Sequence, residues 1–184
     1  MNNLILNKVA KNLNSSGCLW AVGGSTLLNQ YGLLNDPKDI DILIDPKDEN
    51  RIKLSMNKIG NLIDIKKNDE FKSNKFFRYD INGIVVEFIG GFKICFDENK
   101  LYEVIFDDKS IVSSINKDCV KINLMSLEDW FVIYKVMNDP KCRLPLIMKY
   151  FKDNGVKYKS ILYRNLTLQI PIEVKNSIEL LLNI

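Results

Sequence analysis

The spacing of hydrophobic residues predicts a helix and two strands near the start of the chain. Apolar residues recur at helical spacing between Leu4 and Leu13, with polar residues between them. Two short apolar runs, Leu19–Val22 and Ile40–Ile44, are typical of buried strands. Residues Ser25–Tyr31 lie between these runs and are expected to form a short helix, so the block is predicted as strand, helix, strand.

The middle of the chain is predicted to consist mainly of strands. A helix is first expected from Pro46 to about Ile59, because proline suits the first turn of a helix. The hydrophobic period then changes to that of strands, over Leu62–Ile65, Phe76–Ile81, Ile84–Ile89, Phe92–Phe96, Tyr102–Ile105 and Val120–Leu124. Asn82-Gly83 separates two of these strands and is a strong hairpin signal.

From Ser126 onward the pattern predicts helices alone. Ser126, followed by Glu128 and Asp129, fits the start of a helix. The predicted helices are Leu127–Met137, Leu144–Lys152, Tyr158–Leu166 and Ile172–Leu182. A mixed sheet followed by helices places the chain in the α+β class. We therefore expect a sheet-containing domain over residues 1–125 and a C-terminal helical domain over residues 126–184.

Composition removes several classes of chemistry. The 184 residues include no histidine, which excludes a histidine general base, a Ser-His-Asp triad and most catalytic zinc sites. A metal would have to be bound mainly through oxygen atoms, which suits Mg²⁺ or Mn²⁺. The 26 basic and 23 acidic residues nearly balance, so the formal charge of +3 does not indicate a nucleic-acid binder. It does not exclude a short 3′ end as a ligand.

The sequence also predicts where the protein works. No apolar stretch reaches the roughly 20 residues that cross a bilayer, and residues 1–10 lack the features of a signal peptide. Cys18, Cys95, Cys119 and Cys142 are widely spaced without a C-x-x-C motif, so we expect reduced thiols that are buried or half-buried. We therefore expect a soluble, cytoplasmic protein that does not bind membranes.

A glycine turn follows the first predicted strand. Gly23, Gly24 and Ser25 lead from this strand into the short helix, so the backbone N–H groups at the helix start are not shielded by side chains. Such N–H groups, at the positive end of a helix, can hold a phosphate-sized anion. The alternative is a plain turn, since two glycines often do no more than let the chain reverse.

Three acidic residues lie on the predicted strands. Asp39 and Asp41 stand two positions apart at the entrance of the second strand, so their carboxylates point to the same side. Glu87 interrupts the apolar strand Ile84–Ile89, where an ionised carboxylate needs a cation or strong hydrogen bonds. If the two strands are neighbours, the three carboxylates converge and could hold two magnesium ions that bind a nucleoside triphosphate.

Each of these acidic residues also has a simpler interpretation. Asp39 could cap the turn after Pro37, and Asp41 could face solvent on an edge strand. Glu87 could pair with Arg78, which lies on the preceding strand of the hairpin. The order, spacing and inferred secondary structure all agree with one phosphate-and-metal site, and this agreement favours the functional interpretation.

Together, Gly23-Gly24-Ser25, Asp39-Ile40-Asp41 and a later acidic strand residue resemble the DNA polymerase β-like nucleotidyltransferase superfamily. Within it, the chain is similar to the small branch that includes minimal nucleotidyltransferases and the lincosamide and kanamycin nucleotidyltransferases. The resemblance covers residues 18–45 well, residues 84–90 moderately and the helical tail only in general layout. It implies a curved mixed sheet flanked by helices, with residues 1–125 as the catalytic domain and the later helices closing a nucleotide cleft.

The resemblance also implies roles for individual residues. The glycine turn would hold the β- and γ-phosphates through Gly24 and Ser25, and Asp39 and Asp41 would ligate magnesium. Glu87 would take the third carboxylate position, as a metal ligand and general base, although family members commonly have aspartate there. The implied cofactors are Mg²⁺ (or Mn²⁺) and a nucleoside triphosphate, expected to be ATP.

Some other residues are lesser candidates. Lys135 lies seven positions after Glu128 on a predicted helix that is apolar nearly all round. These two residues form a polar stripe that could face the cleft, with Lys135 touching the triphosphate, or could simply face water. Lys141 and Arg143 are expected to be solvated in a loop, and Trp130 is expected in the core.

The expected function is transfer of a nucleoside monophosphate from a triphosphate to an acceptor hydroxyl, with release of pyrophosphate. The acceptor stays open, because a small molecule such as an antibiotic, a tRNA 3′ end and a protein hydroxyl are all compatible with these residues. The alternative is a catalytically silent nucleotide- or partner-binding module on the same fold, such as a toxin–antitoxin component. The presence of both Asp39 and Asp41, with an acidic third position, favours the enzyme.

Overall fold

The computed structural model describes residues 2–63, 72–98 and 100–183. The strands in these residues are β1 Trp20–Val22, β2 Asp39–Ile44, β3 Asn61–Ile63, β4 Lys75–Ile81, β5 Ile84–Gly90, β6 Lys93–Asp97, β7 Lys100–Glu103, β8 Ile111–Lys117 and β9 Val120–Met125. The helices are α1 Asn2–Ser16, α2 Gly24–Gln30, α3 Glu49–Met56, α4 Leu127–Val136, α5 Leu144–Asn154, α6 Lys159–Leu166 and α7 Ile172–Leu182.

Most of the strands belong to one mixed sheet. Its seven strands have the order β3-β4-β5-β2-β1-β9-β8, and β6 and β7 form a separate two-stranded ribbon. β2 is parallel to β5 and antiparallel to β1, while β1 is parallel to β9. The described residues after 126 contain helices and no strand. The predicted α+β class, with a mixed sheet first and helices last, is confirmed.

One face of this sheet is apolar and is covered by α1 and α3. Ile40, Ile42 and Phe88 point to this face and are fully buried. Tyr79 of β4 lies on the same face, and its hydroxyl donates a hydrogen bond to Asn57 Oδ1, just after α3, at 2.6 Å. Because side chains alternate along a strand, burial of this face leaves the intervening residues of β2 and β5 on the opposite face.

Some predicted elements differ from those observed. β8 was not predicted, because Ser113 and Ser114 weaken the hydrophobic alternation of a strand that pairs only with β9 among the described residues. The expected helix from Pro46 begins as a 3-10 turn, Pro46–Asp48, before α3. Part of the predicted strand Leu62–Ile65 lies outside the described residues.

The cysteines are more exposed than expected. All four thiols are free; Cys18 is half-buried, whereas Cys95, Cys119 and Cys142 are exposed on the ribbon, in a turn and in a loop. The expectation of buried or half-buried thiols is therefore wrong for three of the four. Among the described residues, no helix combines the length and the apolar character needed to cross a membrane.

α4 is the central helix of the C-terminal part of the chain, and it also contacts α2. Every residue of α4 except Lys135 is buried, and α5, α6 and α7 all contact this helix. Buried residues from the sheet and from the helices belong to one hydrophobic cluster. The division into domains at residue 125 stays a prediction.

A buried polar network joins α4 to α6 and to the ribbon. Asp129, which is 1% exposed, accepts hydrogen bonds from Ser126 Oγ at 2.9 Å and Asn165 Nδ2 at 2.9 Å. It also forms an ion pair with Arg164 at 3.1 Å. Tyr102 of β7 donates to Asn165 Oδ1 at 2.6 Å. Loss of one member of such a network leaves its partners buried without a hydrogen bond, which is costly.

We predict that Asp129→Ala will lower the free energy of unfolding by about 3 kcal/mol or more, because Arg164 and Asn165 lose their buried acceptor. Asp107→Ala is the matched control, since Asp107 also pairs with Arg164 but its side chain is 45% exposed. Its expected cost is about 1–2 kcal/mol, including the loss of its cap on the 3-10 turn Asp108–Ser110. Urea unfolding measures both values, and equal midpoints for the two variants would contradict this account.

Candidate active site

Three acidic side chains lie on the same face of two adjacent strands. β2 and β5 pair in parallel with Asp41 opposite Glu87, and Asp39 lies two residues before Asp41. Residues two apart on a strand share a face, and so do partners directly opposite each other in a ladder. The structure therefore brings together Asp39, Asp41 and Glu87, as expected if the two strands are neighbours.

The surroundings of Asp41 favour its protonated form. Burial, followed by the nearby carboxylates of Asp39 and Glu87, raises the pKa of Asp41 to about 7. The positive charges of Arg143 and Lys141 oppose this rise. A carboxyl group with such a pKa is poised to exchange its proton for a cation near neutral pH.

Glu87 already has a cationic partner. Arg78 lies opposite Glu87 in the β4–β5 ladder, and Arg78 Nη2 is 2.7 Å from Glu87 Oε1. Burial raises the pKa of Glu87, and the charge of Arg78 opposes that rise. The structure thus contains the ion pair between Glu87 and Arg78 that was the simpler interpretation. It also places Glu87 beside Asp41, as the functional interpretation requires.

The glycine turn packs directly against Asp41. The Gly23 N–H group donates to the Asp41 carbonyl oxygen at 2.9 Å, and Gly24 has a φ of +54°. A methyl group on Gly24 would overlap the Asp41 carboxylate. Only glycine therefore allows the backbone and the carboxylate to approach so closely in this conformation.

Two hydroxyl groups fix the start of α2 to β2. Ser25 Oγ donates to Asp39 Oδ1 at 3.3 Å, and Thr26 Oγ1 donates to the Asp39 carbonyl oxygen at 2.9 Å. No side chain caps this end of α2, and the first N–H groups of any helix lack acceptors within it. Hydrogen-bond donors and carboxylates thus lie side by side, an arrangement that suits a phosphate bound together with a cation.

α4 closes the site from the other side. The indole of Trp130, which is 4% exposed, occupies the space beside Gly23, where a methyl group would overlap it. Trp130 packs on Tyr134 one turn later, with 5.3 Å between ring centroids. The expected core position of Trp130 is confirmed, but its contact with the glycine turn was not predicted, because it joins residues far apart in the chain.

Arg143 reaches the site from the loop that follows α4. Its Nη1 donates to the Tyr134 hydroxyl at 2.9 Å, and its guanidinium lies 5.6 Å from the centroid of that ring. The Asp139 carboxylate fixes the loop by accepting from the N–H groups of Arg143 at 2.7 Å and Leu144 at 2.8 Å. The expectation that Arg143 is simply solvated is wrong, since its side chain is held against Tyr134 and its charge acts on Asp41.

The other candidate residues lie in different surroundings. Lys135 is half-buried, with Nζ 6.0 Å from the Phe131 ring centroid, and its role stays a prediction. Glu128 is 2% exposed and accepts a hydrogen bond from the Tyr158 N–H group at 3.0 Å. The alternative in which the stripe of Glu128 and Lys135 faces water is therefore wrong at Glu128. Lys141 is exposed, as expected for a loop.

The donors at this site suit a hard divalent cation bound together with a ligand. No group of three or more acidic or cysteine side chains in the described residues could hold a metal ion by itself. Magnesium in proteins is typically bound by one or two carboxylates plus the phosphate oxygens of a substrate. The oxygen-only donors, the close glycine turn and the raised pKa of Asp41 fit such a joint site.

Solved structures share the fold of this chain. No protein-family model matches the chain, and no curated protein matches its sequence. A candidate nucleotidyltransferase from Thermotoga maritima (TM1012) gives a TM-score of 0.62 at 20% identity, over 83% of this chain and 94% of that one.

Two structures of the antibiotic-resistance factor ANT(2″)-Ia are similar in fold to this chain. Its solution structure gives a TM-score of 0.56 at 11% identity, over 84% of this chain and 86% of that one. Its complex with adenylyl-2″-tobramycin gives a TM-score of 0.55 at 10% identity, over 80% of this chain and 88% of that one. The chain therefore has a nucleotidyltransferase fold, as the sequence resemblance implied.

We predict that Gly24→Ala will destabilise the protein by at least about 2 kcal/mol more than Gly32→Ala, because overlap with Asp41 adds to backbone strain. Gly32 is the matched control, since its φ is +69° and nothing lies within 4 Å of an added Cβ. Its substitution should therefore cost only about 1 kcal/mol of backbone strain. Chemical denaturation measures both variants, and equal losses would show that Gly24 is not in close contact with Asp41.

We predict that Asp41 makes folding stability fall as pH rises from about 4 to about 7. The pKa of Asp41 is raised from 3.8 to about 7, so in this window the folded state keeps a proton that the unfolded chain releases. The stabilisation is fully present below pH 3.8 and is lost as pH rises through about 7.

The variant Asp41→Asn tests this prediction, because it removes the titrating group while keeping a similar size and shape. Denaturation midpoints measured across this pH range should vary less with pH in the variant than in the wild type. Asp153→Asn, an exposed aspartate on α5, is the control and should keep the wild-type dependence. An unchanged dependence in Asp41→Asn would contradict the raised pKa.

Proposed function

We propose that this protein is a magnesium-dependent nucleotidyltransferase that moves a nucleoside monophosphate from a triphosphate, expected to be ATP, to an acceptor hydroxyl. Pyrophosphate is the second product. The observation that carries the proposal is the contact between the glycine turn and Asp41, beside Asp39. The shared fold with TM1012 and with ANT(2″)-Ia, which was solved with adenylyl-2″-tobramycin, supports it.

Asp39 and Asp41 would hold Mg²⁺ or Mn²⁺ together with phosphate oxygens of the nucleotide, and Glu87 would complete the acidic set. The metal, when bound, supplies charge stabilisation on the phosphates and lowers the pKa of the acceptor hydroxyl. The backbone N–H groups of Gly24 and Ser25 would donate hydrogen bonds to the β- and γ-phosphates. The absence of a side chain on Gly24 leaves room for this approach. These groups bind and orient the triphosphate before reaction.

Glu87 is the candidate general base. Arg78 opposes the effect of burial on the pKa of Glu87 and so favours its ionised form, which can accept a proton from the acceptor hydroxyl. The ion pair at 2.7 Å also fixes the direction of the carboxylate. Arg78 thus acts as a positioning residue for Glu87.

The wall formed by α4 and its following loop supplies positive charge and excludes water. Arg143, held by Tyr134, would neutralise negative charge on the triphosphate, with Lys141 as a further cation. A fixed guanidinium is well suited to phosphate, because its N–H groups form a planar, charged donor set. Trp130 would shield the glycine turn from solvent.

We predict that Arg143→Met will raise the KM for the nucleotide by about tenfold or more, with a smaller change in kcat, because a charge-assisted contact to the substrate is lost. Lys149→Met is the control, since Lys149 is an exposed cation on α5. Steady-state kinetics on both variants separate KM from kcat. An unchanged KM in Arg143→Met would remove Arg143 from the nucleotide site.

Transfer of radiolabel tests the proposed reaction. The protein is incubated with Mg²⁺ and either [α-³²P]ATP or [γ-³²P]ATP, and with a hydroxyl-bearing antibiotic, tRNA or a protein as acceptor. Label should reach an acceptor from the α position only, and Asp39→Asn should abolish transfer. Transfer that is unchanged in Asp39→Asn, or label that arrives from the γ position, would contradict the proposal.

A silent nucleotide-binding module is the second candidate function. The Arg78–Glu87 ion pair favours it, because a carboxylate that already pairs with arginine is less available to bind a metal. This module would bind nucleotide with Mg²⁺ but would transfer no label to any class of acceptor. It would also transfer none when GTP, CTP or UTP replaces ATP. The two functions are thus separated by turnover rather than by binding.

A further inference from the structure

A cavity lies between the far edge of the sheet and the C-terminal helices. It has a volume of about 220 Å³ and is bounded by β8, the end of α2, the first turn of α4, and α5 with the loop that follows it. Aromatic rings of Tyr31, Tyr150, Phe151 and Tyr158 dominate its lining. A cavity of about 150 Å³ holds benzene, so this one accommodates a ligand of roughly ten non-hydrogen atoms.

A buried carboxylate is part of the same lining. Glu128 is 2% exposed and accepts a hydrogen bond from the Tyr158 N–H group at 3.0 Å. No lysine or arginine in the described part of the chain forms an ion pair with it. Burial raises the pKa of Glu128, and backbone N–H groups of Tyr158 and Lys157 oppose this rise. The carboxylate therefore retains acceptor capacity for a positively charged ligand.

The aromatic rings add to this preference for positive charge. Tyr31 and Tyr150 meet edge to face, with 5.4 Å between centroids and an interplanar angle of 82°. The Tyr158 hydroxyl donates to the Val112 carbonyl oxygen at 3.1 Å, which fixes that ring at the cavity. The faces of tyrosine rings attract cations through their quadrupole. Rings and a carboxylate around one small cavity are the usual means of binding an organic ammonium group.

We propose that this cavity binds a small organic cation, with its ammonium group against Glu128 and its apolar body among the tyrosine rings. The site is separate from the glycine turn. Tyr31 follows the last residue of α2, whereas Gly24 is its first, so the two lie about 10 Å apart along the helix. Glu128 and Trp130 are two residues apart on α4 and point to opposite sides of that helix.

Three probes of similar shape and different charge test the proposal. Benzylamine, benzyl alcohol and benzoate are each titrated into the full chain, and binding is followed by amide chemical shifts of residues at the cavity, such as Gly155 and Lys157. We expect benzylamine to bind about tenfold more tightly than benzyl alcohol, and benzoate to bind most weakly. Equal affinities, tighter binding of benzoate through the exposed Lys157, or no binding of benzylamine would overturn the proposal.

Glu128→Gln provides the matched variant, because it removes the charge and keeps an oxygen that can accept from the Tyr158 N–H group. Affinity for benzylamine should fall about tenfold, while that for benzyl alcohol should stay unchanged. Ser113→Trp provides a second variant if Glu128→Gln fails to fold, since the half-buried Ser113 lies at the cavity on the edge strand β8, with its hydroxyl against Tyr31. It should block benzylamine, and undiminished binding to Ser113→Trp would overturn the proposal.

Discussion

Repulsion among three carboxylates on two neighbouring strands is the constraint around which this structure is arranged. Parallel pairing of β2 with β5 places Asp41 beside Glu87, and the two-residue period of β2 adds Asp39 to the same face. The opposite face must stay apolar, because it is buried under α1 and α3, so the acidic residues have no alternative face. Burial, followed by repulsion from the carboxylates of Asp39 and Glu87, raises the pKa of Asp41 to about 7.

The surrounding residues offset this charge in ways that agree with the proposed binding site. Arg78 pairs with Glu87, and Arg143 acts on Asp41 from the loop after α4. Gly24 adds backbone without a side chain, which lets donor N–H groups approach where a methyl group would overlap Asp41. A cation bound with an anionic ligand would relieve the remaining repulsion. If the proposed function is correct, stability and function are opposed at the acidic residues, as is common at binding sites.

Features that depend on local sequence were predicted well, and features that depend on long-range packing were not. Alternation and turn residues identified β2, β5 and the hairpin at Asn82-Gly83, and so placed Asp39, Asp41 and Glu87 correctly on strands. The sequence could not show that α4 would place Trp130 against the glycine turn, since nothing near Trp130 in the chain specifies that neighbour. The surroundings of Arg143 were predicted wrongly for the same reason, because its contact with Tyr134 depends on the folded conformation of the loop.

Calorimetric titration with a non-transferable ATP analogue, adenosine 5′-(α,β-methylene)triphosphate, tests most directly whether the acidic residues and the glycine turn form one nucleotide–metal site. The wild type and the Asp39→Asn/Asp41→Asn double variant are each titrated with and without Mg²⁺. Our account predicts that Mg²⁺ strengthens binding to the wild type by about tenfold or more, and that the double variant loses this dependence. Equal binding by both proteins, with the same response to Mg²⁺, would contradict it.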